Sequence, residues 1–136
     1  MIKSIFIFNT NSELIIEKHY HDYLHFSKIL NIIKSNRDLN FCEYENDTII
    51  YKKFDDLFIS FVVFDENEMY ILSLINLLMS AMEKLLGGIN QRSFVYHFKD
   101  ISYALDNFII NGKIINLDSL EISISPHFIK SFRNDE

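Results

Sequence analysis

Three histidines crowd into His19-Tyr20-His21-Asp22-Tyr23-Leu24-His25. If the chain is helical from residue 22, His21 and His25 lie one turn apart and could hold zinc, with Asp22 or Glu17 nearby. A zinc-protease pattern needs glutamate directly after the first histidine, and that position is Asp22. The plainer reading is a set of exposed polar residues where a strand gives way to a helix. Cys42 could act as a nucleophile with a distant histidine, although a lone cysteine in a strand is more often a small buried hydrophobe. Asp55-Asp56 and Asp65-Glu66 are paired carboxylates, but they sit where turns and helix caps are expected. Lys52-Lys53, with Lys3, Lys18 and Arg92, could form a small basic face toward lipid or cargo, or simply a solvated surface. No G-x-S-x-G elbow is present. These residues argue for a chain that is not an enzyme and takes no cofactor or metal.

The 136 residues suit one domain, 1–136, with a sizeable core, and the apolar content of 49% argues against extended disorder. A net charge of −6 without a long basic run speaks against sequence-independent nucleic-acid binding. One cysteine excludes an internal disulfide and a cysteine-only zinc site. Only three glycines and one proline are present, so few left-handed turns are expected and no Gly-rich phosphate loop is available. Lys3 and Asn9 interrupt any signal-peptide pattern, and no apolar run reaches the ~18 residues of a spanning helix, which favours a cytosolic chain with peripheral membrane contact at most.

Ile5-Phe6-Ile7-Phe8 and the run 57–64 are β-branched and aromatic without a break in polarity on either face. They read as central strands covered on both sides, so helices must flank the sheet on both faces. The pattern predicts strands over 2–8 and 13–20 joined by the turn residues 9–12, and a helix from Asp22 to about 36–38. Three strands then follow as a meander over 41–44, 48–51 and 57–64. Asp65 is placed to cap the next helix, with Glu68 completing a capping box; that helix spans about 67–86 and stops at Gly87-Gly88. A further helix is expected over 93–110 with the stripe Phe94, Phe98, Ile101, Leu105 and Phe108, closed by Asn111-Gly112. Residues 117–124 suit either a short helix or a strand.

The helix at 67–86 carries more apolar surface than a sheet alone can cover. Ser73, Asn76, Ser80, Glu83 and Lys84 fall within one arc of roughly 100°. The remainder is apolar apart from its ends, whereas a helix backed by water needs only a third to a half of its circumference so. Either the helix at 93–110 and the tail cover the excess, or another protein does.

The order strand, strand, helix, three strands, two helices resembles the longin-like arrangement: α/β, with a five-stranded antiparallel sheet and helices on both faces. The stretch 1–9, Met-Ile-Lys-Ser-Ile-Phe-Ile-Phe-Asn, resembles the opening of the small subunits of clathrin-adaptor and coatomer complexes. So do Ile50-Tyr51-Lys52-Lys53 followed by Asp56-Leu57-Phe58, Asn67-Glu68-Met69 at the start of the long helix, and Leu105-Asp106 followed by Asn111-Gly112-Lys113-Ile114. The likeness covers about residues 1–118. Residues 88–96 depart from the V-C-E-L-D-L-I-F-N of adaptor sigma subunits. Ile89-Asn90-Gln91-Arg92 and Ala104-Leu105-Asp106 are more like the coatomer zeta subunit, and Lys18-His19-Tyr20 is similar to the medium-chain N-terminal domain.

The resemblance implies a non-catalytic small subunit of a heterotetrameric vesicle coat, zeta-like or sigma-like, in intracellular protein transport. Its partners would be a large solenoid coat subunit and the other coat subunits, with no nucleic acid and no small-molecule substrate. It would be cytoplasmic and peripheral on Golgi or endosomal membranes. The apolar helix would supply the partner contact through Leu74, Leu78, Met82 and Leu85. Two residues of the sigma family's pocket for acidic dileucine sorting signals fall on Met79 and Ile89, while a polar pocket position falls on Gly88. The alternative is a free-standing longin-type regulator that binds a small GTPase or a SNARE.

Overall fold

The structure, a computed structural model, describes residues 1–21, 24–35, 40–86, 91–110 and 113–114. Its elements run β1 (Ile2–Asn9), β2 (Leu14–His19), α1 (Phe26–Ser35), β3 (Phe41–Tyr44), β4 (Asp47–Phe54), β5 (Leu57–Val63), α2 (Glu68–Leu86), α3 (Gln91–Tyr96), α4 (Phe98–Phe108), β6 (Ile109–Ile110) and β7 (Lys113–Ile114). The first five strands form one sheet in the order β2-β1-β5-β4-β3, every neighbouring pair antiparallel.

β1 and β5 lie side by side in the middle and pair from Ile2↔Val63 to Asn9↔Leu57. Both are buried almost throughout, as their unbroken apolar runs require. Their side chains alternate between two cores. Phe6, Phe8 and Val62 join Ile29 and Ile33 of α1 on one face. Ile5, Ile7, Ile59 and Phe61 join α2, α3 and α4 on the other. Helices therefore cover both faces of the sheet.

The scarcity of glycine does not remove left-handed backbone. Ser12, Glu45, Asp55 and Asp65 have φ of 66°, 55°, 54° and 53°. Glu45 and Asp55 are the first residues of the two-residue turns that join β3 to β4 and β4 to β5, a position where glycine is usual. Ser12 sits within a turn built by Asn9, whose Oδ1 accepts the backbone N–H groups of Asn11 and Glu13, each at 2.9 Å.

Three helix boundaries also differ from the sequence pattern. α1 begins at Phe26, not Asp22; residues 22–23 and 36–39 lie outside the described residues. The expected helix over 93–110 is two helices, broken at His97 with φ −106° and ψ 23°, and it gives way at Ile109 to a short strand that pairs with β7. The third difference is the cap of α2. Asn67 holds it: its Oδ1 accepts the N–H of Tyr70 at 3.0 Å and its carbonyl accepts that of Ile71 at 3.1 Å. Asp65 is left-handed, whereas a capping residue takes an extended backbone, so the capping-box role expected of it is not realised. The expected stops at Gly87-Gly88 and Asn111-Gly112, and the segment 117–124, lie outside the described residues.

The two carboxamide and carboxylate side chains are therefore separable by mutation. Asn67→Ala should lower unfolding free energy by about 1 kcal/mol, measured by urea denaturation. Asp65→Gly should leave stability unchanged or raise it, because glycine takes the left-handed conformation without a Cβ clash.

Candidate partner-binding surface

α2 is the element with the most apolar surface, and the fold uses most of that surface internally. Ile71, Leu74, Ile75, Leu78, Met79, Ala81 and Met82 are all buried in the core shared with the sheet. At 100° per residue they span an arc of about 160°. The sheet takes part of this arc; Phe94 of α3 and Ile101 and Leu105 of α4 belong to the same cluster. The inner arc of α2 is thus used within the chain.

This corrects the partner-contact assignment. Leu74, Leu78 and Met82 are 3%, 2% and 1% exposed and pack within the chain, so they fasten α2 to its own sheet. Leu85 lies in the last turn of α2, and its side chain is outside what the structure describes. Met79, one of the two residues matched to a sorting-signal pocket, is also a core residue at 1% exposure. Ile89, the other, lies outside the described residues, as does Gly88.

What α2 presents to solvent is a different strip. Met69, Tyr70 and Leu77 are exposed, together with Ser73, Ser80 and Lys84. Val95 and Tyr96 of α3 and Tyr103 of α4 are exposed as well, at 52%, 59% and 64%. Only Leu14, Phe41 and Phe64 are exposed large apolar residues elsewhere among the described residues. Large apolar and aromatic side chains in water therefore concentrate on the outer side of the α2–α4 layer. Tyrosine and methionine are the residue types enriched at protein interfaces.

Polar tethers hold that layer to the sheet. Lys18 of β2 lies 2.9 Å from the carboxylate of Asp106 on α4. Lys52 of β4 donates to Asn76 Oδ1 of α2 at 2.6 Å. Lys3 of β1 reaches Asp47 of β4 across β5, 3.0 and 3.1 Å from its two oxygens. Of the lysines and arginine that could have formed one basic face, Lys3, Lys18 and Lys52 are thus each bound to a separate partner. Tyr20, next on the α4 side of β2, has a buried hydroxyl with no hydrogen-bond partner among the described residues. Burial, and secondarily the Asp106 charge, push its phenol above the ordinary range.

The chemistry-bearing residues are used structurally. His19 lies between Ser4 and Glu17, with Ser4 Oγ 2.9 Å from Nδ1 and the Glu17 carboxylate 2.6 Å from Nε2. The types are those of a nucleophile, base and orienting acid, but Ser4 is fully buried inside the sheet and no substrate could reach it. The arrangement ties β1 to β2. Because α1 starts at Phe26, His21 and His25 are not one helical turn apart, and no group of three or more His, Cys, Asp or Glu residues that could hold a metal occurs among the described residues. Cys42 packs among Phe6, Ile29 and Ile49, where burial raises its thiol pKa and works against a thiolate.

A family model described as clathrin adaptor complex small chain matches residues 1–126. The chain belongs to that family. Among curated relatives, an AP-4 complex sigma subunit of Arabidopsis thaliana is 29% identical over 96 residues, 70% of this chain and 66% of the relative. An AP-3 complex sigma subunit of the same plant is 26% identical over 90% of this chain and 82% of its own length. An AP-1 complex sigma-1 subunit of Dictyostelium discoideum is 27% identical over 90% and 84%. A homology model of the full-length AP-3 complex in a stretched open conformation contains a chain that superposes with a TM-score of 0.66 at 19% identity, covering 98% of this chain and 94% of that one. The longin-like small-subunit fold is shared. The relatives named here are sigma subunits.

Two substitutions distinguish the inner and outer sides of α2. Leu78→Ala should destabilise the isolated chain by about 2–5 kcal/mol, because it opens a cavity in the core. Leu77→Ala, one residue away, should change stability by no more than about 0.5 kcal/mol. Urea denaturation of both reads the difference.

Tyr20 gives a pH signature. A phenol held neutral more firmly in the folded chain than in the unfolded one contributes stability below its ordinary pKa of about 10, and that contribution is lost as pH rises above it. Tyr20→Phe should therefore show a smaller fall in urea midpoint between about pH 9 and 11 than the parent chain. At pH 7 it should be as stable or slightly more so, since a buried hydroxyl without a partner is removed.

Proposed function

We propose that this chain is the sigma-type small subunit of a heterotetrameric adaptor coat in vesicle-mediated protein transport. It would do no chemistry. The observation that carries the reading is the match to the adaptor small-chain family over residues 1–126. The sigma subunits named above favour sigma over the zeta alternative, and a subunit family does not favour the free-standing regulator.

The large solenoid subunit would sit on the outer side of the α2–α4 layer, with Met69, Tyr70, Leu77, Val95, Tyr96 and Tyr103 in its footprint. Their exposure supports this, because an obligate partner contact removes apolar surface of that kind from water. Leu74, Leu78 and Met82 would act one layer beneath, keeping α2 in place. The setting would be the cytoplasmic surface of Golgi or endosomal membranes, reached through the assembled coat. No described helix is long and apolar enough to cross a membrane. Acidic dileucine binding at Met79 and Ile89 is not part of this proposal, because Met79 is closed off in the core.

Affinity purification of the tagged chain from its native cells tests the reading. The parent chain should bring down two large subunits and one medium subunit in equal amounts. A Leu77→Glu, Tyr103→Glu double variant should lose them while keeping its urea midpoint. Recovery of the parent chain alone, or with only a small GTPase, would overturn the assignment. An unaffected double variant would overturn the proposed footprint.

A further inference from the structure

On the opposite face of the sheet from α2–α4, a cavity of about 380 Å³ opens beside the C-terminal half of α1. It is within the ~300–1,000 Å³ range of ligand sites. Phe8, Tyr51 and Phe58 line it from the sheet, and Leu30 and Ile33 line it from α1. The Phe8 and Phe58 rings are stacked, 5.2 Å apart and 8° from parallel, so the sheet side is a flat apolar wall. Such a lining favours hydrocarbon over water. At the ~30 Å³ of a water-sized group such as a methylene, the cavity takes one chain of at most about twelve carbons, and not the two chains of a membrane phospholipid.

The mouth has the opposite character. Lys34, in the last turn of α1, and Lys53, on β4, both line the cavity and are both exposed. Neither has a carboxylate at ion-pair distance among the described residues, in a chain of net charge −6 whose Lys3 and Lys18 are each paired with an aspartate. Lys53 Nζ lies 5.9 Å from the Phe58 ring centroid, at the boundary between the charged mouth and the aromatic wall. Thr10 and Ser12 line the cavity too, and their hydroxyls make no hydrogen bond among the described residues.

We propose that this cavity binds a free fatty acid of medium chain length, with the chain between the aromatic wall and α1 and the carboxylate held by Lys34 and Lys53. A carboxylic acid is ionised at neutral pH. Its two oxygens offer about four lone-pair sites, as many as two ammonium groups and two hydroxyls can serve. Bonds from the ammonium groups are charge-assisted and therefore the stronger ones. A neutral alcohol with the same chain fills the same space but leaves both lysines without a counter-charge. The site does not rest on the coat assignment, since it lies on the other face of the sheet from the proposed subunit contact.

The test is a calorimetric titration of the full chain with dodecanoate, kept below the concentration at which it forms micelles. Saturable binding of one molecule per chain is expected. Dodecanol should bind at least about tenfold more weakly. Lys34→Glu combined with Lys53→Glu should weaken dodecanoate binding by at least about tenfold, with an unchanged urea midpoint. Lys84→Glu, on the solvent face of α2, should leave it unaltered. Amide chemical shifts of Thr10, Ser12 and Lys53 in the unmutated chain should move on titration, which reads the site without any variant. Absence of saturable binding, equal binding of dodecanol, equal weakening by Lys84→Glu, or shifts confined to α2–α4 would overturn the proposal.

Discussion

Everything else in this chain hangs on the pairing of β1 with β5. Two strands of large apolar residues lie side by side in the middle of the sheet, and neither has a face that tolerates water. Such a pair forces a three-layer molecule. One helix must cover Phe6, Phe8 and Val62, and a second layer must cover Ile5, Ile7, Ile59 and Phe61. Burial of several large side chains, each contributing about 1.5–3 kcal/mol, is the main drive for that arrangement. The turns then have to be short and left-handed, even where only aspartate, glutamate or serine is available to make them.

The same requirement shapes the proposed partner surface. Because the sheet needs so much cover, α2 turns nearly half its circumference inward, into the core to which α3 and α4 also contribute. Its outer strip is left to Met69, Tyr70 and Leu77, mixed with serines and a lysine. A surface of this mixture suits an interface that excludes water around a few large side chains. The polar ties from Lys18 and Lys52 hold the layer to the sheet.

Much of this was legible in the residues. Unbroken β-branched and aromatic runs identify the two central strands, and the stretch reads as a meander over 41–44, 48–51 and 57–64 because Glu45-Asn46-Asp47 and Asp55-Asp56 interrupt it, although the middle strand proves longer, at Asp47–Phe54. The family likeness rested on short ordered motifs such as Ile50-Tyr51-Lys52-Lys53 and Asn67-Glu68-Met69. The inner side of α2 was not legible. On a helix that is apolar nearly all round, Leu77 and Leu78 look alike, and only the position of the sheet and α4 decides which is buried. The cap was ambiguous for a related reason: Asp65 and Asn67 are both good capping types, and the backbone angle of Asp65 settles it. The break at His97 has no proline or glycine to announce it.

Oxidative footprinting of the tagged chain, free and within its native assembly, addresses the central claim most directly, because methionine and tyrosine side chains report their own exposure. Met69, Tyr70, Tyr96 and Tyr103 should be modified in the free chain and protected in the assembly, while Met79 and Met82 stay unmodified in both. Met79 and Met82 reactive when free and protected when assembled, with Met69 and the tyrosines unchanged, would contradict the account and return the partner contact to the inner side of α2.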